Sequence, residues 1–210
     1  MIRHRVKVPT RERILDEVER LIAVKGVQGF KLRDVAKRLK LQVPAIYKHY
    51  QNRDDVLVEV SRRFVILLGG QFAPSRLAPP RALKAGLDGF VEFMMRNPAY
   101  VRLALVDFAT PEGGAEYVKR AAGGSFQENF ANGPLAPMHE RLRALLRAGA
   151  RTRDFRRVDA TDFYRVVKAS LLIRLVFPDD RPLLRSPAVR ELREVQRWLW
   201  DVADGFLARR

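Results

Sequence analysis

Residues Leu32 to Tyr50 read LRDVAKRLKLQVPAIYKHY, and this stretch decides the fold. Leu32, Val35, Ala36 and Leu39 recur at helical spacing, laying an apolar stripe along a short helix and turning Arg33, Asp34, Lys37 and Arg38 outward. After the interval Lys40-Leu41-Gln42, Pro44 suits the first turn of a second short helix, where its missing N–H has no helical partner to satisfy. Ile46 and Tyr50 share that helix's inner face. Val43, Ala45, Tyr47, Lys48 and His49 are left on the others, in a segment of about eight residues that needs packing support to stay helical. Two short helices across a tight turn are the helix-turn-helix arrangement.

Working outward, Thr10 after Pro9 is placed to cap a supporting helix with Glu12 in its first turn and Ile14, Leu15, Val18, Leu21 and Ile22 on one face. Gly26 and Gly29 end it. On the other side, Asn52 caps a longer helix whose first turn holds Asp54 and Asp55, as the helix dipole favours. Arg53 runs against that preference, and makes better sense if a phosphate docks at this helix end. From Lys25 to Arg53 eight basic residues (Lys25, Lys31, Arg33, Lys37, Arg38, Lys40, Lys48, Arg53) face the single acid Asp34. The pattern therefore puts a local positive field on the helix-turn-helix.

The run from Thr10 through Leu15, with Gly26, Phe30, Val35-Ala36, Val43 to Tyr50 and Asn52-Arg53 through Leu57, resembles the N-terminal domain of tetracycline-repressor-type (TetR) regulators. The resemblance covers about the first fifty to sixty residues. It implies that Leu32 to Leu39 crosses the DNA backbone and that Val43 to His49 is the recognition helix in the major groove. By the same resemblance, Tyr47, Lys48 and Arg53 match phosphate-contacting positions, whereas Gln42, Val43, Pro44, Ala45 and His49 are the candidates for base contacts. Lys31 and Arg33 join the DNA-binding set as cations beside that surface. For Tyr47 the competing reading is a ring packed on the preceding helix. The chain departs from the family at Lys40, where a turn glycine is common, and at Lys31, where a capping threonine is common. A non-glycine in the left-handed conformation costs about 1–2 kcal/mol, so another turn shape is expected at Lys40.

Beyond about Val60 the pattern stays helical between proline and glycine breaks, with helices expected near 53–73, 80–96, 98–109, 114–130, 137–152, 159–177 and 187–208. The chain is read as all-α: a three-helix helix-turn-helix DNA-binding domain at 1–52 with a basic arm at 1–9, then a helical effector-binding and dimerisation domain at 53–210. Leu192, Val195, Leu199, Val202 and Phe206 step by threes and fours along the last helix, a seam suited to another helix. Phe163, Val167 and Leu171 form a stripe on the helix before it. The two stripes either build a four-helix interface across a two-fold or pack inside one subunit, and the resemblance favours a homodimer interface. The middle segment holds seven of the twelve phenylalanines between Phe64 and Phe130. Phe64, Phe90, Phe93, Met94, Tyr100, Phe108, Phe126 and Phe130 are a helical core on the plain reading. On the family reading they line a pocket for an apolar or aromatic effector.

The bulk composition agrees with a nucleic-acid partner. Among 210 residues there are 40 Lys and Arg against 24 Asp and Glu, a formal charge of +16. Such a balance favours polyanions, either nucleic acid or an anionic surface. Arginine-rich but mixed-sign stretches such as Arg141 to Arg157 read as solvated helix faces. The absence of cysteine removes thiolate nucleophiles and Cys-based zinc sites, and makes a reducing cytoplasm the simplest compartment. His4, His49 and His139 have no metal-ligand spacing, and no phosphate-binding loop, dinucleotide fingerprint or nucleophile elbow is present. No apolar run reaches the ~20 residues of a membrane span. A non-enzymatic regulator without metal or cofactor is expected: a dimeric repressor on a palindromic double-stranded DNA operator, released by a small-molecule effector. The alternative is a sequence-independent nucleic-acid or anionic-surface binder.

Overall fold

The computed structural model describes residues 9–108, 116–124, 126–176 and 187–208, and among them all regular structure is helical. The helices are α1 (Thr10–Gly29), α2 (Leu32–Leu39), α3 (Val43–Tyr47), α4 (Arg53–Gly69), α5 (Pro79–Arg96), α6 (Pro98–Phe108), α7 (Glu116–Ala122), α8 (Phe126–Ala131), α9 (Ala136–Arg151), α10 (Ala160–Val176) and α11 (Val189–Leu207). None of the described helices is long and apolar enough to cross a membrane.

The first three helices pack around Ile14, Val18, Ile22, Val35 and Ile46, which are completely or almost completely buried. Helix α1 begins at Thr10 itself, so Pro9 takes the cap position and the Thr10 hydroxyl does not cap. Pro9 has no N–H to lose and its carbonyl accepts from Arg13 N at 3.1 Å, so the helix starts without a side-chain cap. At the other end Gly26 adopts φ 76°, ψ 169°, a region essentially reserved for glycine, and breaks α1 before its last turn.

Helix α1 then lies along α6, and α4 carries the chain from the helix-turn-helix into the larger helical body, packing on α7 and α9. Helix α5 sits between α9 and α11, and α10 packs against α11 and α9. One continuous apolar core runs from Ile14 to Leu207 across the position 52/53 boundary. The segment read as a single helix near 114–130 is two. Gly123 takes φ 79°, and its N–H and that of Gly124 both close on the Lys119 carbonyl, at 2.8 and 3.2 Å, ending α7.

Arginines between Arg141 and Arg157 do more than solvate a helix face. Arg141 donates to the carbonyls of Gly69, Gly70 and Gln71 at 2.8–3.2 Å, satisfying the open C-terminus of α4. Arg156 lies over the Phe206 ring at 4.7 Å and donates to the Phe206 carbonyl at 2.6 Å. Both tie distant segments together.

Candidate nucleic-acid interface

Helix α2 ends in the turn that the sequence made doubtful. Lys40 occupies the left-handed region (φ 56°, ψ 40°) despite its side chain, so the expected alternative turn shape does not form. The reason lies in the bonds it closes: Lys40 N donates to Lys37 O at 3.2 Å and Leu41 N to Ala36 O at 2.8 Å. This crossed pair satisfies the last carbonyls of α2 and offsets the strain at one residue. At the start of α2 the Lys31 side chain makes no cap, and its carbonyl accepts from Asp34 N instead.

Helix α3 runs from Val43 to Tyr47, two residues shorter than read, and continues as a turn through Lys48 and His49. Pro44 stands in its first turn, where no N–H is needed. Ile46 is fully buried and anchors the helix. Tyr50 is also buried, and its hydroxyl donates to the Arg11 carbonyl at 3.3 Å, pinning the end of the turn to α1. Burial pushes the Tyr50 phenol above its ordinary pKa.

With those two side chains inward, the opposite face is open. Gln42, Pro44, Lys48 and His49 are exposed, and Tyr47 is 53% exposed rather than packed on the preceding helix. Val43 and Ala45 are half-buried, and Val43 leans on the core. Lys31 and Arg33 are exposed on α2. Arg53 differs from its reading. Its guanidinium turns back to the Val27 carbonyl and lies 4.6 Å from the centre of the Phe30 ring. It therefore braces α4 against the end of α1, where Gly26 has ended the regular helix.

The positive field is narrower than the residue count. Lys25 pairs with Asp34 at 2.7 Å, and its hydrogen bond holds the Asp34 carboxyl below the usual range. Arg38 pairs with the buried Glu17 at 2.5 Å. Lys31, Arg33, Lys37, Lys40 and Lys48 form no ion pair among the described residues. Lys37, read as an outward cation but left out of the DNA-binding set, stands one helical turn beyond Arg33 on the same exposed face.

The residues read as an effector pocket gather in two packed aromatic groups. Phe64, Phe93 and Tyr100 stack with centroids 4.9–6.0 Å apart. Phe90 and Phe130 each pack on Tyr164, at 6.1 and 5.2 Å, and Met94 is buried in the same core. Phe108 and Phe126 lie outside the described side chains.

Half of the expected dimer seam lies inside the subunit. Phe163, Val167, Leu171 and Leu199 are at most 1% exposed within a single subunit and so cannot touch another. They point inward because α10 and α11 pack on each other and α11 also lies along α5. Leu192, Val195, Val202 and Phe206 are half-buried at the edges of that packing, as are Trp198 and Trp200.

An exposed short helix held over a buried isoleucine and tyrosine, behind an unpaired row of cations, defines a helix-turn-helix regulator fold. Residues 14–60 match the family described as "Bacterial regulatory proteins, tetR family". The whole chain has the fold of that family's solved members. It superposes on the TetR-family regulator PfmR of Thermus thermophilus with a TM-score of 0.64 at 23% identity, over 94% of this chain and 100% of that one. A tetR-family regulatory protein of Rhodococcus RHA1 gives 0.67 at 16% identity, over 96% and 98%. The fatty acid degradation regulator FadR of Bacillus halodurans gives 0.62 at 18%, over 92% and 96%. No curated protein matches the sequence.

Proposed function

We propose that the protein is a ligand-responsive transcriptional regulator, a repressor that binds a palindromic operator as a homodimer and leaves it when a small molecule binds. Residues 1–52 are the DNA-binding part and 53–210 the effector and dimer part. The carrying observation is the open face of α3, with Tyr47, Lys48 and His49 exposed beside cations that have no acidic partner. Lys31, Arg33, Tyr47 and Lys48 take phosphates, while Gln42, His49, Val43, Pro44 and Ala45 read bases, partly through thymine methyl groups and DNA shape. Arg53 acts through position: it sets the angle of α4 against α1 and leaves to a phosphate those N–H groups at the start of α4 that Asn52, which accepts from Asp55 N at 2.9 Å, does not cap.

Effector coupling has a physical route. Tyr100 on α6 packs on Phe64 of α4 with ring centroids 4.9 Å apart, and burial together with the Glu19 carboxylate of α1 pushes its phenol above the ordinary pKa. An apolar or aromatic molecule that opens the Phe64–Phe93–Tyr100 stack would shift α4 and α6 against α1, and with it the spacing of the two recognition helices. Binding, with no chemical step, accounts for every residue named, and the reading fits a protein that works in the cytoplasm.

Selection of bound duplexes from a random pool by the full chain tests this. The expected product is two inverted half-sites about one helical turn apart, preferred over random DNA by roughly 10³-fold or more at fixed salt. Equal affinity for any duplex would favour the sequence-independent reading that the +16 charge also supports.

A further inference from the structure

A second basic surface lies outside the helix-turn-helix. Arg147, Arg151 and Arg157 line an open cleft of about 420 Å³ together with Leu146, Ala150 and Val158, where the end of α9 meets the segment leading to α10. We infer that this cleft is a binding site for a small organic anion that joins an oxyanion head, phosphate or carboxylate, to a compact apolar body.

The arginines have no structural employment there. Arg147 and Arg151 stand one turn apart on α9, where like charges repel. None of the three forms an ion pair among the described residues. Nor are they spent on the helix end: the Ala148 carbonyl accepts from Thr152 N at 3.0 Å, and the Gly149 carbonyl from Asp154 N and Phe155 N at 2.9 and 3.1 Å. Neighbouring arginines show the contrast, since Arg143 pairs with Glu140 and Arg156 is held on Phe206.

The third arginine is brought into the cleft by a fixed turn. Phe155 is buried over Gly149, so close that a β-carbon there would lie 2.0 Å from its ring. Arg156 N donates to the Leu207 carbonyl at 3.0 Å, which sets the next residue, Arg157, beside α9. Guanidinium groups brought together in this way match oxyanions through paired N–H donors. Leu146, Ala150 and Val158 supply an apolar floor, and the volume falls in the range of small-molecule sites. The cleft is separate from both aromatic groups, so it is independent of the effector reading above.

Titration calorimetry on the full chain without DNA tests the site, with phenyl phosphate, inorganic phosphate, phenylacetate and benzyl alcohol as probes at physiological ionic strength. One phenyl phosphate or phenylacetate should saturate each chain, the preferred one identifying the head group. Inorganic phosphate should bind more weakly and benzyl alcohol not at all. Arg147→Gln and Arg157→Gln should each weaken binding about tenfold or more, the loss of a charge-assisted contact. Arg190→Gln, which removes one surface charge elsewhere, should change it less than about twofold, as a rim charge does. No saturable binding of either aromatic anion, or equal losses in all three variants, would overturn the assignment.

Discussion

Tyr47 and Lys48 project from α3 while Ile46 and Tyr50 hold it, so substitutions on the two faces should separate binding from stability. Tyr47→Ala and Lys48→Ala are expected to weaken operator binding about tenfold each, as lost phosphate contacts, with stability unchanged to about 0.5 kcal/mol. Gel shift and thermal melting read the two effects; a melting loss comparable to that of Ile46→Ala would mean that α3 is not an open face. Lys40 offers the opposite combination. Lys40→Gly removes a left-handed side chain and should stabilise the protein by about 1 kcal/mol while weakening DNA binding, more so at low salt. Urea titration and salt-dependent affinity would show whether strain and charge trade off at that residue. The inward pair was legible because helical spacing assigns Ile46 and Tyr50 to one side. The placement of Arg53 was not, since its partners, the Val27 carbonyl and the Phe30 ring, meet it only through the break at Gly26.

At the scale of elements, Arg63 is where α4 grips α1. Its guanidinium reaches Asp16 at 2.8 Å and Glu19 at 3.0 Å, and also pairs with Glu12. Burial by itself would lower the pKa of Arg63, yet the three acids together hold it above the ordinary value. Glu19 nevertheless has its pKa raised, because desolvation outweighs the arginine beside it. A carboxyl raised in the folded state contributes stability that is present below its unfolded value of 4.5 and lost as pH rises through the folded value. Removing Arg63 raises that folded value further and deepens the loss. Arg63→Met should therefore cost about 1–3 kcal/mol near neutral pH, discounted for partial exposure, and less near pH 4. Chemical denaturation at the two pH values checks the sign; a larger cost in acid would contradict it. Sequence periodicity located most helices to within a few residues, because apolar stripes and prolines are local signals. It gave no sign of Arg63 or of Arg141 capping α4, since both act on residues some 44 to 72 positions away.

For the whole molecule, the proposed homodimer needs a surface that can join two copies. The heptad-like steps of α11 were legible, but periodicity cannot say whether a stripe meets its own subunit or another, and Leu199 meets its own. What remains open on α10 is Ile173, 57% exposed, with Val166 and Ser170 half-buried a turn or two before it. Beside them on α11 stand the half-buried Val195, Trp198 and Val202, and Trp198 lies within 6.0 Å of the Arg174 guanidinium, which sets the two helices edge to edge. A dimer through α10 and α11 would bury this face and leave the packed interior untouched. Ile173→Glu should then raise the dimer dissociation constant by roughly 30-fold or more, as a charge placed in an interface centre does, with monomer stability changed by about 0.5 kcal/mol or less. Leu199→Glu should instead unfold or severely destabilise the subunit, because it buries a carboxylate without a partner. Analytical ultracentrifugation together with circular dichroism distinguishes the two outcomes. If Ile173→Glu sediments as a dimer at every concentration tested, the two-fold runs through another face of the molecule.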